Sequence, residues 1–444
     1  MTRGSGERAI VVGAGIAGLT AAFRLQQAGF DVTVLEADDH VGGRMATVEV
    51  DGYRIDTAAS ILPTTYKAMF RLIADAGLSD EIFPTCDLVG IPREGKIHRL
   101  RSGHAKSDAV KSGLISWRGK ATLAKLITDI LRAGDRLSWY DLGRAADLDT
   151  ETSRHYADRR LTPELLEYVV APAVRALFLA DPERLSSIEI LFAVRNILGG
   201  SFFNSATGAD FLPRGLARQL DVQLSTRVTS VEERDGSVAV TWERSGEVER
   251  TEEAAACVIA LPAPHLLEIY PQLDPVRREV AGRVEYSTCV DVTLGLARPP
   301  DEPAMLFLIP RQEHPDLCSV VLDHNKAPGR APEGKGLLTS YWHDDWGKGQ
   351  WDRDDKEVVE DAIAGLDRIF PGVEGDVEMT TVSRWWNCAV MSRPGVYRDL
   401  ARFSAATDTR ARVQIAGDFL SATTTNASLC SGELAARRIT EARR

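Results

Sequence analysis

The stretch that decides the fold is AIVVGAGIAGLTAAFRLQQAGFDVTVLEA, residues 9–37. Its first four residues, 9–12, are continuously apolar, which is typical of a strand buried on both faces of a parallel sheet. A glycine turn, a segment with one apolar helical face and a second apolar strand follow, and Gly29 stands where a glycine commonly ends a helix. The pattern predicts a strand–helix–strand unit and an α/β fold built on a parallel sheet.

Three glycines of this turn, Gly13, Gly15 and Gly18, have the spacing G-x-G-x-x-G. The first permits a tight turn, the second lets the backbone approach a pyrophosphate, and the third lets the helix pack closely on the strand. Glu36 follows the second strand, 21 residues after Gly15, and is placed to accept both hydroxyls of an adenosine ribose. The unit therefore predicts a Rossmann-like dinucleotide site, and the carboxylate disfavours the 2′-phosphate of NADP.

A second glycine pair comes directly after this acid, in EADDHVGGR, residues 36–44. A nicotinamide dinucleotide does not require it. Gly42 and Gly43 allow another close backbone approach, and Arg44 adds a cation for a pyrophosphate. The alternative is a surface turn with a solvated arginine. The interpretation as a pyrophosphate-binding turn suits a longer dinucleotide, held extended along the domain.

The far end of the chain, VQIAGDFLSATTTNASLCSGELAARRI, residues 413–439, predicts a strand, a polar loop and a helix beginning near Asn426. Asp418 at the strand end is placed to accept a ribityl hydroxyl. The free N–H groups of the helix, at Thr425, Asn426 and Ala427, would face the flavin N1/C2 carbonyl, where negative charge gathers on reduction. The alternative is an ordinary terminal helix capped by Asn426.

VVGAGIAGL, Glu36, VGGR and IAGD…SGELAA together resemble the flavin-containing amine oxidase superfamily, which includes monoamine oxidases, porphyrinogen oxidases and phytoene-type desaturases. The resemblance implies FAD in a discontinuous, Rossmann-like domain interleaved with a mixed helix and β-sheet (α+β) substrate domain. It places the FAD domain at residues 1–84, 206–268 and 396–444, and the substrate domain at 85–205 and 269–395. The apolar stretches CVDVTLGLA, AMLFLIP and GLLTSYW indicate the sheet of the second domain.

Two inner segments resemble the porphyrinogen oxidases in particular. They are LTPELLEYVVAPAVRALFLADPERLSS, residues 161–187, and RWWNCAVMSRPGV, residues 384–396. The second departs from the family where Val390 and Ser392 replace a usual Pro and Tyr, and Ala58 stands where glycine is common. These departures lie in segments that line the flavin or substrate cavity of the family, so the resemblance supports FAD more strongly than it supports a porphyrinogen substrate.

The segment from residue 225 to 271 alternates apolar and polar residues, with turn signals at Asp235-Gly236 and Ser245-Gly246, and predicts an antiparallel meander. Its final apolar strand, Cys257 to Leu261, is expected to rejoin the parallel sheet. By resemblance, the backbone of Val228 holds the adenine, although Val228 also suits a core strand position. The candidate FAD-binding residues are Gly13, Gly15, Ile16, Ala17, Gly18, Glu36, Ala37, Gly42, Gly43, Arg44, Ala58, Ala59, Val228, Gly417, Asp418, Thr425, Asn426 and Ala427.

The flavin would accept the electrons, so the chain need not supply a nucleophile, and neither a catalytic triad nor paired carboxylates stand out. His343, in SYWHDDW, is the candidate general base because histidine titrates near neutrality. The alternative is a solvated loop histidine. Trp385 and Trp386 are candidates for an aromatic wall beside the flavin. Cys388 lacks the G-G-C-Y neighbours with which monoamine oxidases attach FAD, which predicts non-covalent FAD.

Bulk properties limit the function classes. A length of 444 residues favours two domains, and a net charge of −11 argues against nucleic acid as a partner. The six cysteines show no metal-ligand spacing, so no metal is expected, and no signal or membrane-spanning stretch is recognised, which predicts a cytoplasmic protein. Residues 114–134 predict a basic amphipathic helix, either touching a membrane peripherally or packing its apolar face inward.

The leading hypothesis is an FAD-dependent oxidoreductase that desaturates a fairly large apolar or cyclic small molecule, as porphyrinogen oxidases do, with oxygen or another electron acceptor. An isoprenoid or natural-product desaturase and an amine oxidase are the alternatives within the superfamily. A non-enzyme alternative is a binding protein like the Rab GDP-dissociation inhibitors, which share this architecture.

Overall fold

The computed structural model describes residues 6–104, 108, 111–196, 199–244 and 246–443. Its strands, in chain order, are β1 Arg8–Val12, β2 Asp31–Leu35, β3 Thr47–Val50, β4 Tyr53–Asp56, β5 Leu62–Pro63, β6 Phe83–Pro84, β7 Leu88–Arg93, β8 Lys96–Arg101, β9 Phe202–Asn204, β10 Asp221–Gln223, β11 Thr226–Glu233, β12 Val238–Arg244, β13 Arg250–Ala254, β14 Ala256–Ile259, β15 Tyr286–Leu296, β16 Leu306–Leu308, β17 Leu317–Leu322, β18 Gly336–Trp342, β19 Val377–Val390 and β20 Val413–Ile415.

The α-helices are Ile16–Gln27, Lys67–Asp75, Trp117–Ala133, Ser153–Arg160, Pro163–Leu165, Ala171–Phe178, Ser187–Asn196, Phe211–Ala217, Ala263–Ile269, Pro275–Gly282, Asp323–Lys326, Asp344–Gln350, Asp355–Leu366, Val396–Ala405 and Thr425–Ala442. One turn of π-helix, Leu166–Val170, interrupts the helical segment between residues 163 and 178. The helix that follows it contributes Ala173, Ala176 and Leu177 to the cavity described below.

A parallel sheet of five strands, in the order β10-β2-β1-β14-β20, confirms the predicted α/β fold. Its central strands are almost wholly buried. The first and last helices cover one face, and the strands β11 and β12 together with the helices Ala263–Ile269 and Pro275–Gly282 cover the other. The first helix, Ile16–Gln27, packs so tightly on the C-terminal helix that a Cβ on Gly432 would lie 2.2 Å from the Ala17 carbonyl oxygen. Gly29 follows the first helix with φ +96°, in the left-handed conformation expected there.

The predicted meander is present as β11-β12-β13, and its neighbouring strands pair antiparallel. Gly236 adopts φ +86° at the first predicted turn. Of the second turn, Gly246 has φ +80°, while Ser245 lies outside the described residues. After the meander, β14 re-enters the parallel sheet between β1 and β20, as the apolar run predicted.

A second, mixed sheet of seven strands has the order β19-β15-β18-β17-β16-β7-β8. It contains the three strands predicted from apolar stretches, which are β15, β16 and β18. The long edge strand β19 and the hairpin β7-β8 were not predicted. The sheet contributes the wall of the cavity that faces the carboxyl ends of the parallel strands.

The helix Trp117–Ala133 buries Leu126 and Ile130, so part of its apolar face packs inward. Trp117 and Leu131 are 74% and 75% exposed. Nowhere in the described ranges does a helix combine the length and apolar character that a membrane crossing needs.

Candidate active site

A cavity of about 320 Å³ lies at the carboxyl edge of the parallel sheet. Its lining includes residues that closely follow the ends of β1, β14 and β20, and Gly42 and Arg44 from the loop after β2, because these parallel strands all run toward this edge. In open parallel sheets, ligands bind outside the carboxyl ends of the strands. The lining near that edge includes Gly15, Gly42, Arg44, Leu261 and Asp418.

The first glycine turn has the geometry that its sequence predicts. Gly13 has φ +97°, and a Cβ there would lie 2.7 Å from the Ala260 carbonyl oxygen. A Cβ on Gly18 would lie 1.9 Å from the Gly13 carbonyl oxygen, so this glycine is required by packing alone. Gly15 differs, because nothing lies within 4 Å of its hypothetical Cβ. The empty space beside Gly15 opens into the cavity and suits a close ligand.

The second glycine pair lies directly against the first turn. The Gly42 N–H donates to the Ala14 carbonyl at 2.9 Å, and Gly15 and Gly42 form an isolated parallel bridge. Gly42 has φ +108°, and a Cβ on Gly43 would lie 3.8 Å from the Gly15 Cα. The stretch that could have been a surface turn thus builds one glycine cradle with the first turn.

Arg44 and Asp418 come from opposite ends of the chain and form an ion pair, with Arg44 Nη1 2.6 Å from Asp418 Oδ2. The same nitrogen donates to the Cys388 carbonyl at 2.6 Å. Asp418 Oδ1 is buried without a hydrogen-bond partner, as is the hydroxyl of Thr425, and both residues line the cavity. Unpartnered buried acceptors are costly unless a ligand satisfies them, so these residues fit a group such as the ribityl chain of FAD.

Glu36 lies at the end of β2, beside the glycine cradle. Its carboxylate accepts from the Ala14 N–H at 2.5 Å and from the Asp38 N–H at 2.9 Å. Burial raises the pKa of the Glu36 carboxyl. The Glu36 carbonyl accepts from the Thr226 N–H at the start of β11, which brings the strand containing Val228 to this edge. The Val228 side chain itself is buried in the hydrophobic core.

The C-terminal helix begins at Thr425, one residue before the expected start, and its cap is Thr424 rather than Asn426. The Thr424 hydroxyl accepts from the Ala427 N–H at 3.1 Å. Asn426 is fully buried and its side-chain oxygen accepts from the Met69 N–H at 3.2 Å. Thr425 therefore lines the cavity, whereas the side chains of Asn426 and Ala427 belong to the interior.

Ala58 and Ala59 line the cavity, and the Ala59 N–H donates to the Arg44 carbonyl at 2.9 Å. Asp56, just before them, belongs to a buried network of charged side chains that the sequence analysis did not predict. Asp56 accepts from Lys326 at 2.7 Å and from Arg330 at 2.9 Å, and all three side chains are at most 1% exposed. Burial opposes ionisation of Asp56, but the two cations lower its pKa to about 2.

His343 lies outside the lining of the cavity in which a general base would act. It follows β18 as the cap of the helix Asp344–Gln350, where Nδ1 accepts from the Asp345 N–H at 3.2 Å. The side chain is buried against Asp181, which also excludes the alternative of a solvated loop histidine, and burial lowers its pKa. His343 does not belong to the cavity lining.

The two tryptophans have different surroundings. The Trp385 indole donates to the Thr57 carbonyl at 2.8 Å, and its ring packs against the small hydrophobic cluster that includes Cys289 and Tyr341. Trp386 is 54% exposed and contacts Trp351 edge to face. Neither ring is part of the cavity lining, so the predicted aromatic wall is not formed by this pair.

A polar pair that sequence reasoning missed does face the cavity. Tyr341 on β18 lies directly opposite Ser319 on β17, and both line the cavity. The Tyr341 hydroxyl is buried without a partner. On the other side, Tyr341 is in register with Asp291, a buried carboxyl whose pKa burial raises well above its usual value. β18 is buried along its whole length, so its residue pattern does not indicate which of its side chains face the cavity.

The parallel sheet, the double glycine cradle and the buried acceptors at the C-terminal helix define an FAD-binding oxidoreductase fold. The family model described as flavin containing amine oxidoreductase matches residues 16–440, and the chain belongs to that family. The chain is accordingly a flavin-dependent enzyme, which sets aside the alternative of a binding protein without flavin chemistry.

Individual relatives agree with this assignment. The chain is 22% identical over 431 residues to the coproporphyrinogen III oxidase of Bacillus subtilis, covering 85% of each protein. It is 30% identical over 184 residues to protoporphyrinogen oxidase 2 of Arabidopsis thaliana, a match that spans 41% of this chain and 34% of that protein. The structure of cyclohexylamine oxidase from Brevibacterium oxydans superposes with a TM-score of 0.75 at 20% identity, covering 98% and 99% of the two chains.

Proposed function

We propose that this enzyme removes hydrogen from a C–H bond of a fairly large, mainly apolar or cyclic small molecule that binds between the glycine cradle and the seven-stranded sheet. The observation that carries the proposal is the wall opposite the cradle. It is built mainly from aliphatic side chains that include Val89, Leu177, Leu306, Leu308 and Val321. Such a surface binds an apolar ring system or chain and keeps water from the reacting carbon.

The residues proposed to hold FAD, without a covalent bond, come from the first and the last of the three chain segments assigned to the FAD domain. The glycine cradle would approach the pyrophosphate, Glu36 would accept from the adenosine ribose, and Asp418 would accept from the ribityl chain. Arg44 holds the Asp418 carboxylate in place and supplies positive charge beside the cradle. When bound, FAD supplies a two-electron acceptor at N5.

Tyr341 is the residue that we propose to orient the substrate. Its hydroxyl is buried without a partner, and Tyr341 lies opposite Ser319 in a wall that is otherwise largely aliphatic. A polar atom on an otherwise apolar substrate would bind there and fix which carbon faces the flavin. His343 has no part in this proposal because its position makes it a helix cap.

A reduced tetrapyrrole is the first substrate class, because the coproporphyrinogen III oxidase match extends along most of both chains. A hydrogenated isoprenoid or polycyclic natural product is the second. The charges at the cavity favour this uncharged class. Arg44 is the one cation among the described lining residues, and because it is already paired with Asp418 it is not available to bind a substrate carboxylate. A tetrapyrrole with several carboxylates would have to place them outside the cavity.

The test is anaerobic reduction of the holoenzyme by three probes, which are a reduced tetrapyrrole, a hydrogenated isoprenoid and a primary amine. We expect one of the first two to bleach the flavin and the amine to leave it oxidised. Tyr341→Phe should raise the substrate concentration needed for half-maximal reduction and leave flavin content unchanged. Bleaching by the amine alone, or a Tyr341→Phe enzyme identical to the wild type, would contradict the proposal.

A further inference from the structure

Two cysteine thiols meet in the wall of the cavity. Cys289 lies on β15 and Cys388 on the adjacent antiparallel strand β19. The ladder between these strands is irregular here, because Ser287 pairs with Ala389 while Cys289 pairs with Trp385. The extra residues of β19 form a bulge, and Cys388 in that bulge packs against the small hydrophobic cluster that contains Cys289.

Both thiols belong to the cavity lining, and Cys388 is located in its cofactor-binding corner. Arg44 holds the bulge there by donating to the carbonyls of Asn387 and Cys388 at 3.2 and 2.6 Å. The neighbouring Cys289 thiol and the charge of Arg44 lower the pKa of the Cys388 thiol, against burial and the nearby carboxylate of Asp418. Cys388 is thus the sulfur better suited to carry negative charge and to react.

The other cysteines do not share this arrangement. Cys257 is buried in the parallel sheet and Cys430 in the C-terminal helix, and neither lines the cavity. Cys318 belongs to the same hydrophobic cluster as Cys289 but does not line the cavity, and the Arg175 guanidinium lies 3.9 Å from its sulfur. Cys86 donates to the Pro303 carbonyl at 3.3 Å and does not line the cavity either. The two cysteines of the cavity lining are therefore Cys289 and Cys388.

We propose that Cys289 and Cys388 are a redox-active dithiol that delivers two electrons to the FAD bound in this cavity and becomes a reversible disulfide between β15 and β19. Two S–H bonds break and one S–S bond forms. The two electrons and two protons that leave the sulfurs convert FAD to its two-electron-reduced form. A dithiol reductant restores the thiols by exchange. This activity is separate from substrate oxidation and depends only on flavin binding near Cys388.

The test is an anaerobic reductive titration of the oxidised holoenzyme with dithionite. The wild type should take up about four electrons per flavin, because a disulfide–dithiol couple exchanges two electrons in addition to the flavin. Cys388→Ser and Cys289→Ser should each take up about two. Cys257→Ser is the matched control and should behave as the wild type. Flavin absorbance of each variant shows independently whether FAD is bound.

Peptide mapping gives the second readout. Alkylation and non-reducing digestion of the oxidised holoenzyme should leave four of the six cysteines alkylated and recover one cross-linked pair of peptides containing residues 289 and 388. An uptake of about two electrons by the wild type with all six cysteines alkylated would overturn the proposal. So would a different cysteine pair, a flavin joined covalently to Cys388, or a disulfide that forms equally fast in protein stripped of FAD.

Discussion

The substitution Gly15→Ala tests whether glycine is needed at this position for ligand binding or for folding. At φ −70° and ψ 172° the Gly15 backbone accommodates alanine, and nothing lies within 4 Å of the added Cβ. We therefore expect the apoprotein to keep its thermal midpoint, or to gain slightly because alanine restricts the unfolded chain, by up to about 1 kcal/mol. The added methyl group would instead occupy the space proposed for the pyrophosphate.

The expected loss of FAD affinity follows from one displaced contact. A hydrogen bond to a charged group contributes about 1.5–3 kcal/mol, which corresponds to a roughly 10- to 150-fold increase in Kd. The assay is fluorescence titration of the apoprotein with FAD, alongside its thermal unfolding. Gly18→Ala is the contrasting variant, because its Cβ would lie 1.9 Å from the Gly13 carbonyl oxygen. It should destabilise the apoprotein itself by about 1–3 kcal/mol or more.

Two results would refute this reasoning. If Gly15→Ala bound FAD as tightly as the wild type, the open space beside Gly15 would not be the pyrophosphate site. If it unfolded at a lower temperature by as much as Gly18→Ala, the glycine would serve packing and not the ligand.

Three further predictions follow from the same structure. Glu36→Ala and Asp418→Ala should each weaken FAD binding by about tenfold or more, because each removes a carboxylate acceptor. Equilibrium dialysis with FAD measures this loss, and undiminished FAD retention would contradict the proposed role. Asp56, whose pKa of about 2 lies below that of an unfolded aspartate, should contribute about 2 kcal/mol of stability at pH above about 4, and this contribution should disappear as the pH falls toward 2. Unfolding measured across that range should show a flatter acid limb for Asp56→Asn. His343→Ala should lower the free energy of unfolding by about 1 kcal/mol through loss of the helix cap. The rate of flavin reduction by substrate should not change, and a large fall in that rate would restore His343 as a catalytic candidate.

The residues proposed to hold FAD could be predicted from the sequence because they belong to local patterns. The glycine spacing, Glu36 and the Gly42-Gly43 pair each place a backbone turn at the end of a strand, and the structure assembles them as one cradle. Such turns are specified by residues close together in the chain. The position of the C-terminal helix was predicted to within one residue for the same reason.

The residues proposed to contact the substrate could not be predicted, because their arrangement depends on contacts between distant segments. Tyr341 and Ser319 line the cavity only because β17 and β18 pair in one register. Lys326 and Arg330 bind Asp56 although about 270 residues separate them from it in the sequence, and no local pattern predicts either contact. His343 carried the right chemistry for a base, but its local backbone made it a helix cap.

The most direct test of the central claim, that this cavity binds FAD, is the visible spectrum of the purified protein before and after reconstitution with FAD, compared with Asp418→Ala. The wild type should show oxidised-flavin absorption at one FAD per chain, released by denaturation without a covalent bond, and Asp418→Ala should hold less. A colourless, folded wild-type protein that takes up no FAD would contradict the account.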